Sequence, residues 1–276
     1  YPNHTSPNQK FNGKERPDPL DIAANGFSVP RIVSRMRSII RKECPSKEGK
    51  IEFTFLEWDG AWDAPSYDPE PYEQGIIQWS LANALFYAET LGQFAKEGIT
   101  VSANFKFQET PFGLIRGHYT ENPNDNVMWD NKTIRPKAFA VELFSKHFGN
   151  LLVKSAVKNS PTYVKSPDWY PTSYSGEVPY ISCFASKNGT GEKLYIMLIN
   201  RHPNQELPVD LKIKNFSFKK LSNVWKLTGP EITSQNDGNP GQVSIVNENI
   251  ELSVGDIFKY ICPPHSVVAL ELDKEV

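Results

Sequence analysis

The rhythm of this sequence changes once, near residue 155, and that change limits the fold more than any other feature. Before it, two short apolar segments, 51–57 and 99–107, alternate with helical patterns at 28–43, 72–97 and 135–154. After it, helical periodicity disappears. Short alternating segments such as "PYISCFAS", "KLYIMLINR", "DIFKYICP" and "SVVALELD" follow one another, separated by turn residues. Strands that each return through a helix imply parallel βαβ packing, whereas closely spaced alternating strands imply an antiparallel β-sandwich. The predicted class is therefore α/β plus all-β, with 1–155 as one domain and 156–276 as the other.

Local signals support the elements. In 28–43, Ser28 is placed to cap, Pro30 lies in the first turn, and Ile32, Val33, Met36, Ile39 and Ile40 share one face. The basic residues lie mainly on the other side, as on a solvated helix. In 72–97 the stripe is Ile77, Leu81, Leu85, Ala88, Leu91 and Ala95, and Gly98 stands where a helix ends. Segments 1–27, 58–71 and 108–134 read as long loops, and 155–180 as a Pro/Ser/Tyr-rich link. The strand-to-helix loops are long and the helix-to-strand loops short. In a (β/α)8 barrel, strand-to-helix loops build the active site.

Composition excludes several classes of function. A formal net charge of −2 gives no polyanion-binding signature, so nucleic acid is not an expected partner. No apolar stretch approaches the ~20 residues of a membrane span. Cys44, Cys183 and Cys262 are too scattered for a metal site; Cys183 and Cys262 read as a bridge or as plain buried thiols. His202 and His265 sit in turns, where solvation is the ordinary reading, with no triad or metal-ligand spacing around them. No Gly-rich phosphate loop occurs, and neither metal nor cofactor is expected. Aromatic residues make up 12% of the chain, which suits sugar faces as well as cores. Sequons at Asn3, Asn131, Asn188 and Asn215 point to an exported glycoprotein, extracellular or at the cell surface, with the cytoplasm as the alternative. The opening "YPNHTSPN" reads as the loop after a strand, which suggests a piece of a longer polypeptide.

One stretch carries candidate chemistry. "IEFTFLEWDGAW", 51–62, drives an apolar strand into Glu57 and then into aromatic and acidic residues. By alternation Glu57 shares the side of Ile51, Phe53 and Phe55, so in a barrel those residues fill the interior and Glu57 tops it. The residues leave two readings open, a carboxylate that pairs or caps, and a catalytic one. Trp58 and Trp62 suit sugar stacking or packing in the loop.

"FTFLEWDGAW" resembles the seventh strand of clan A glycoside hydrolases. "SLANALFYAETLGQFAKEGITVSANF" resembles the following helix and eighth strand of family 51 α-L-arabinofuranosidases. "LINRHPNQELPVDL", "WKLTGPEITSQNDGNPGQV" and "FKYICPPHSVVALEL" are similar to that family's C-terminal sandwich. Families 44 and 39 of the clan share these features, and "LEWDGAW" departs from the fuller acidic-Glu-Trp-Asn pattern. The resemblance implies the C-terminal part of a (β/α)8 TIM barrel, strands 7 and 8 with flanking helices, followed by an antiparallel β-sandwich. It implies a retaining glycosidase acting on an oligo- or polysaccharide, with Glu57 as nucleophile. The acid/base Glu would lie outside this chain, on an N-terminal barrel segment of the same precursor or on a partner chain. Glu109 is the local substitute. Tyr1 matches the tyrosine after strand six. Asn104, Phe105 and Phe107 end strand eight and can line a pocket, although Phe105 and Phe107 share one side of the strand, where core packing is the stronger reading. His118 and Trp129 lie in the loop beyond. An endo-β-1,4-glucanase or β-xylosidase is the alternative within the clan. A non-catalytic structural or carbohydrate-binding glycoprotein is the alternative of another class.

Overall fold

The computed structural model describes residues 18–60, 76–109, 112–117, 133–166, 174–253 and 257–275. The expectations for Tyr1, Asn3, Trp62, His118, Trp129 and Asn131 lie outside these residues.

The first part runs α1 (Pro19–Ala24), α2 (Ser28–Glu43), β1 (Thr54–Trp58), α3 (Leu81–Glu97), β2 (Val101–Asn104) and α4 (Pro136–Lys146). The helix-strand alternation expected from the sequence is present, and β1 pairs with β2 in parallel. Details differ. The segment 1–27 contains α1, capped by the Asp18 side chain, which accepts from the Leu20 N–H at 3.0 Å. Ser28 does not cap α2, which continues from a 3-10 turn at Asn25–Phe27. The Ser28 hydroxyl instead accepts from the Tyr174 N–H at 2.9 Å. The helix expected over 135–154 stops at Lys146, because Leu151–Val153 (β3) joins the antiparallel sheet.

Helix α3 is central, with every residue from Leu81 to Thr90 buried. It is covered by α1, α2 and α4 and by the sheet behind it. Gly98 ends it at φ 67°, with its N–H turned back to the carbonyls of Phe94 and Ala95. Gly92 permits the closest approach to the sheet: a Cβ there would come within 2.3 Å of the Phe184 ring.

The second part continues from β3 through β4 (Thr162–Lys165), β5 (Gly176–Pro179), β6 (Ile181–Lys187), β7 (Lys193–Asn200), β8 (Leu207–Lys212), β9 (Leu221–Thr228), β10 (Ser244–Glu251), β11 (Ile257–Cys262) and β12 (Ser266–Asp273). A six-stranded antiparallel sheet has the order β10-β9-β12-β7-β6-β3, while β8–β11 and β4–β5 form separate pairs. The link expected over 155–180 thus contains two strands. Central strands β7 and β12 are covered on both faces. Met197, Ile199, Val267 and Ala269 face the helical core. Leu194, Ile196, Leu198, Val268, Leu270 and Leu272 face the core shared with β8 and β11. Two covered faces explain why "LYIMLI" and "VVALEL" are near-continuous apolar runs.

Cys183 and Cys262 are free thiols within this second core, and burial pushes each up to about 12. His265 is buried rather than solvated. Its two ring nitrogens lie 2.6 Å from the Pro203 carbonyl and 2.9 Å from that of Gly229. His202 packs on Tyr180, and its Nδ1 accepts from the backbone N–H groups of Asn204 and Gln205. No helix among the described residues is long and apolar enough to cross a membrane.

Candidate active site

The two parallel strands end on the same side, so the residues after β1 and after β2 are neighbours. The register fixes what each strand presents. Thr54 lies opposite Val101 and Phe55 opposite Ser102, but the next pair is Trp58 with Asn104. Three steps on β1 thus match two on β2, which is a β-bulge. A bulge reverses alternation. Phe53 and Phe55 belong to the helical core, with the Phe55 ring 4.7 Å from that of Phe94. Beyond the bulge, Trp58 returns to that core. Leu56 and Glu57 are left exposed.

This corrects the simple parity. Phe53 and Phe55 do not fill a strand interior; they face the helices, and Glu57 does not follow them. It corrects Trp58 as well. That ring is only 3% exposed, lies 4.6 Å from the Tyr87 ring and 5.3 Å from that of Phe94, and has no face open to a sugar.

Behind the strand ends lies a buried polar cluster that alternation does not reveal. The Asp59 carboxylate, 0% exposed, accepts from Lys137 Nζ at 2.6 Å and from the Gly60 N–H at 2.6 Å. The Tyr87 hydroxyl faces the same carboxylate and donates to the Asn104 side-chain oxygen at 2.6 Å. Lys137 also donates to the Phe112 carbonyl at 2.6 Å, tying the segment after β1 to the segment after β2. Burial raises the Asp59 carboxyl and lowers the Lys137 ammonium, each against the attraction of the other. Burial, reinforced by the Asp59 charge, also raises the Tyr87 phenol well above its ordinary value. Asn104 is therefore half-buried and committed to Tyr87. Phe107 stands 68% exposed beyond β2, not in the core, while Phe105 is half-buried against Phe112. Glu109 pairs with Lys106 at 2.5 Å.

A second buried cluster sits at the helix N-termini. Arg135 precedes α4, donates to Asp237 at 3.0 and 3.1 Å, and lies over the Trp79 ring. Asp237 belongs to the β9–β10 loop. The same loop caps α3, since the Leu81 and Ala82 N–H groups donate to the Ser234 and Ile232 carbonyls at 2.9 and 2.8 Å. One sequence oddity marks the cations of these pairs but not their partners. "RPK" places two cations at the start of α4, where the helix dipole disfavours them, and both find buried carboxylates. Asp59, Tyr87 and Asp237 gave no local signal of their own.

Among the described residues, no group of three or more His, Cys, Asp or Glu could hold a metal ion. Asn188 stands in the β6–β7 turn, its side-chain oxygen accepting from the Lys193 N–H at 3.1 Å. Asn215 is exposed in a turn at φ 60°.

No protein-family model matches the chain, and no curated protein does. Solved structures do. An α-L-arabinofuranosidase of Thermotoga maritima superposes with a TM-score of 0.73 at 20% identity, over 93% of this chain and 50% of that one. A family 51 α-L-arabinofuranosidase of Thermotoga petrophila gives 0.70 at 20% identity, over 90% and 48%. A family 44 xyloglucanase of Paenibacillus polymyxa gives 0.51 at 13%, over 88% and 35%. The chain spans about half the length of the arabinofuranosidases it matches, and over that span it has the fold of these glycoside hydrolases.

Proposed function

We propose that this chain is the C-terminal part of a retaining glycoside hydrolase, most like an α-L-arabinofuranosidase, with Glu57 as its nucleophile. One observation carries the reading. In a chain with that fold, a bulge at the end of β1 turns Glu57 off the helix-facing side while Trp58 anchors the strand behind it. In this reading residues 1–155 contribute strands 7 and 8 of a (β/α)8 barrel, and residues 156–276 form a β-sandwich whose large sheet also takes in β3. Glu57 attacks the anomeric carbon, and a second carboxyl roughly 5 Å away protonates the leaving group and then activates water. That acid/base Glu is supplied from outside this chain, by an N-terminal barrel segment of the same precursor or by a partner chain. Exposed Leu56 and Val101, 71% and 51% accessible, give such a segment an apolar strand surface to cover. Phe107, with Tyr1 and Trp62 from outside the described residues, completes the proposed sugar-binding set. The substrate is an arabinofuranosyl oligo- or polysaccharide, met outside the cell or at its surface, with glycans at Asn3, Asn131, Asn188 and Asn215. The likeness to a family 44 xyloglucanase makes a β-glucan the second substrate to assay.

The test is hydrolysis of an aryl α-L-arabinofuranoside by the native polypeptide that carries this chain. Glu57→Gln is expected to abolish turnover, as is Glu57→Ala, where azide can occupy the vacated space and restore turnover as an inverted glycosyl azide. Unchanged turnover in Glu57→Gln removes the nucleophile assignment.

A further inference from the structure

The most unusual group behind the proposed site is a buried ion pair that the double displacement does not itself use. Asp59 lies two residues beyond Glu57 and is fully buried, as is Lys137 in the first turn of α4. Their contact of 2.6 Å links the end of β1 to α4, and the second Lys137 bond, to the Phe112 carbonyl, links the segment after β2 to the same point. Between Asp59 and the bulge sits Trp58, clamped on Tyr87 and Phe94 and accepting the Phe105 N–H on its carbonyl at 3.0 Å. The chain is therefore fixed at 58 and 59, while Leu56 and Glu57 project away from the helices.

We infer that Asp59 and Lys137 are a positioning pair for Glu57, holding the bulge so that its carboxylate meets the sugar in one geometry. The inference rests on the nucleophile reading above. Two alternatives to a positioning role are weaker. A surface ion pair would tolerate solvent, and neither partner here has any. A pair serving stability alone needs no connection to both strand ends, whereas Lys137 bonds to both. Buried ion pairs are poor sources of net stability, which leaves geometric specification as the use that fits.

The experiment uses the native polypeptide containing this chain. Lys137→Met leaves Asp59 buried and unpaired and can unfold the protein, so the deciding variant is Asp59→Asn/Lys137→Met, which removes both charges at similar volume. Its kcat on 4-nitrophenyl α-L-arabinofuranoside is expected to fall roughly 10- to 100-fold, as displacement of a reacting group does. KM should stay within about threefold. A crystal structure should show the Glu57 carboxylate displaced. The control is Glu89→Gln/Arg201→Met, which breaks another fully buried ion pair, remote from β1, between α3 and the residue after β7; it should lower the unfolding midpoint, because the Ala23 and Pro179 carbonyls lose their Arg201 donor, and leave kcat unchanged. A folded Asp59→Asn/Lys137→Met protein with kcat within about twofold of the parent overturns the inference. So does an equal loss of kcat in the control. If the parent has no glycosidase activity, the proposed function fails, and the crystal structures alone decide whether the pair positions Glu57: an unmoved carboxylate overturns it, a displaced one upholds it.

Discussion

Trp58→Ala separates a packing tryptophan from a sugar-stacking one. The side chain is 3% exposed and lies among Phe86, Tyr87 and Phe94, with ring separations of 6.4, 4.6 and 5.3 Å. Truncating a buried Trp costs about 3–5 kcal/mol, from lost transfer free energy and from a cavity that rigid neighbours close only in part. Here the neighbours are rigid, because Tyr87 is tied to Asp59 and Asn104 and all three rings stand on the buried helix α3. The upper half of that range therefore applies. With roughly 2–4 °C per kcal/mol for a domain of this size, the melting temperature should fall by roughly 8–20 °C. The assay is urea unfolding of the native polypeptide, followed by far-ultraviolet circular dichroism because the mutation removes a fluorophore. Trp58→Phe should recover more than half of the loss. A stacking role predicts the opposite pattern: unchanged stability with a raised KM. A loss below about 1 kcal/mol would refute the burial argument, since surface substitutions usually stay within about 0.5 kcal/mol and truncation of a buried Trp does not.

Three further outcomes test the buried charges and thiols. Asp237→Ala strands the buried Arg135 guanidinium and should cost about 3–5 kcal/mol, whereas Arg135→Met/Asp237→Ala should regain part of it, as urea midpoints would reveal; additive losses would mean that the two do not act as a pair. Thiol titration at pH 8 should label Cys44 quickly and spare Cys183 and Cys262 until unfolding. Because burial raises both of those thiols to about 12, their contribution to stability is complete below the unfolded thiol value and is lost as pH rises from about 8.5 towards 12. Replacing both with Ala should flatten that alkaline loss in pH-dependent urea midpoints.

Helix α2 was legible because its apolar spacing is regular, and the end of α3 because Gly98 has one conformational use. The bulge in β1 was not legible. Alternation is read from side chains, and "FTFLEW" alternates equally well with or without an extra residue in the ladder. Only the Trp58–Asn104 register reveals it. Strand β3 was hidden because "FGNLLVK" prolongs the apolar pattern of α4, and its pairing partner Ala185–Lys187 lies more than thirty residues away. Strands β4 and β5 were hidden by Pro and Ser around a short hairpin pair. At the site, Glu57 was visible as a carboxylate at a strand end. The cluster behind it required contacts 78 and 102 residues apart in sequence, which no local pattern encodes.

Those long contacts also say what the antiparallel part does for the strand ends. The β9–β10 loop supplies carbonyls to the first N–H groups of α3 and a carboxylate to the residue that begins α4. Both helix N-termini lie on the side where β1 and β2 end. Unsatisfied, each buried polar group there would cost about 1–3 kcal/mol. The helical core is shared in the same way, with Phe184, Met197, Ile199, Val267 and Ala269 packed among residues of α3. A change of rhythm in the sequence near residue 155 is thus not a break in packing. The antiparallel strands fix the starts of the two helices, α4 fixes Asp59 through Lys137, and Asp59 sits two residues from Glu57. The position of that carboxylate therefore depends on residues from both ends of the chain.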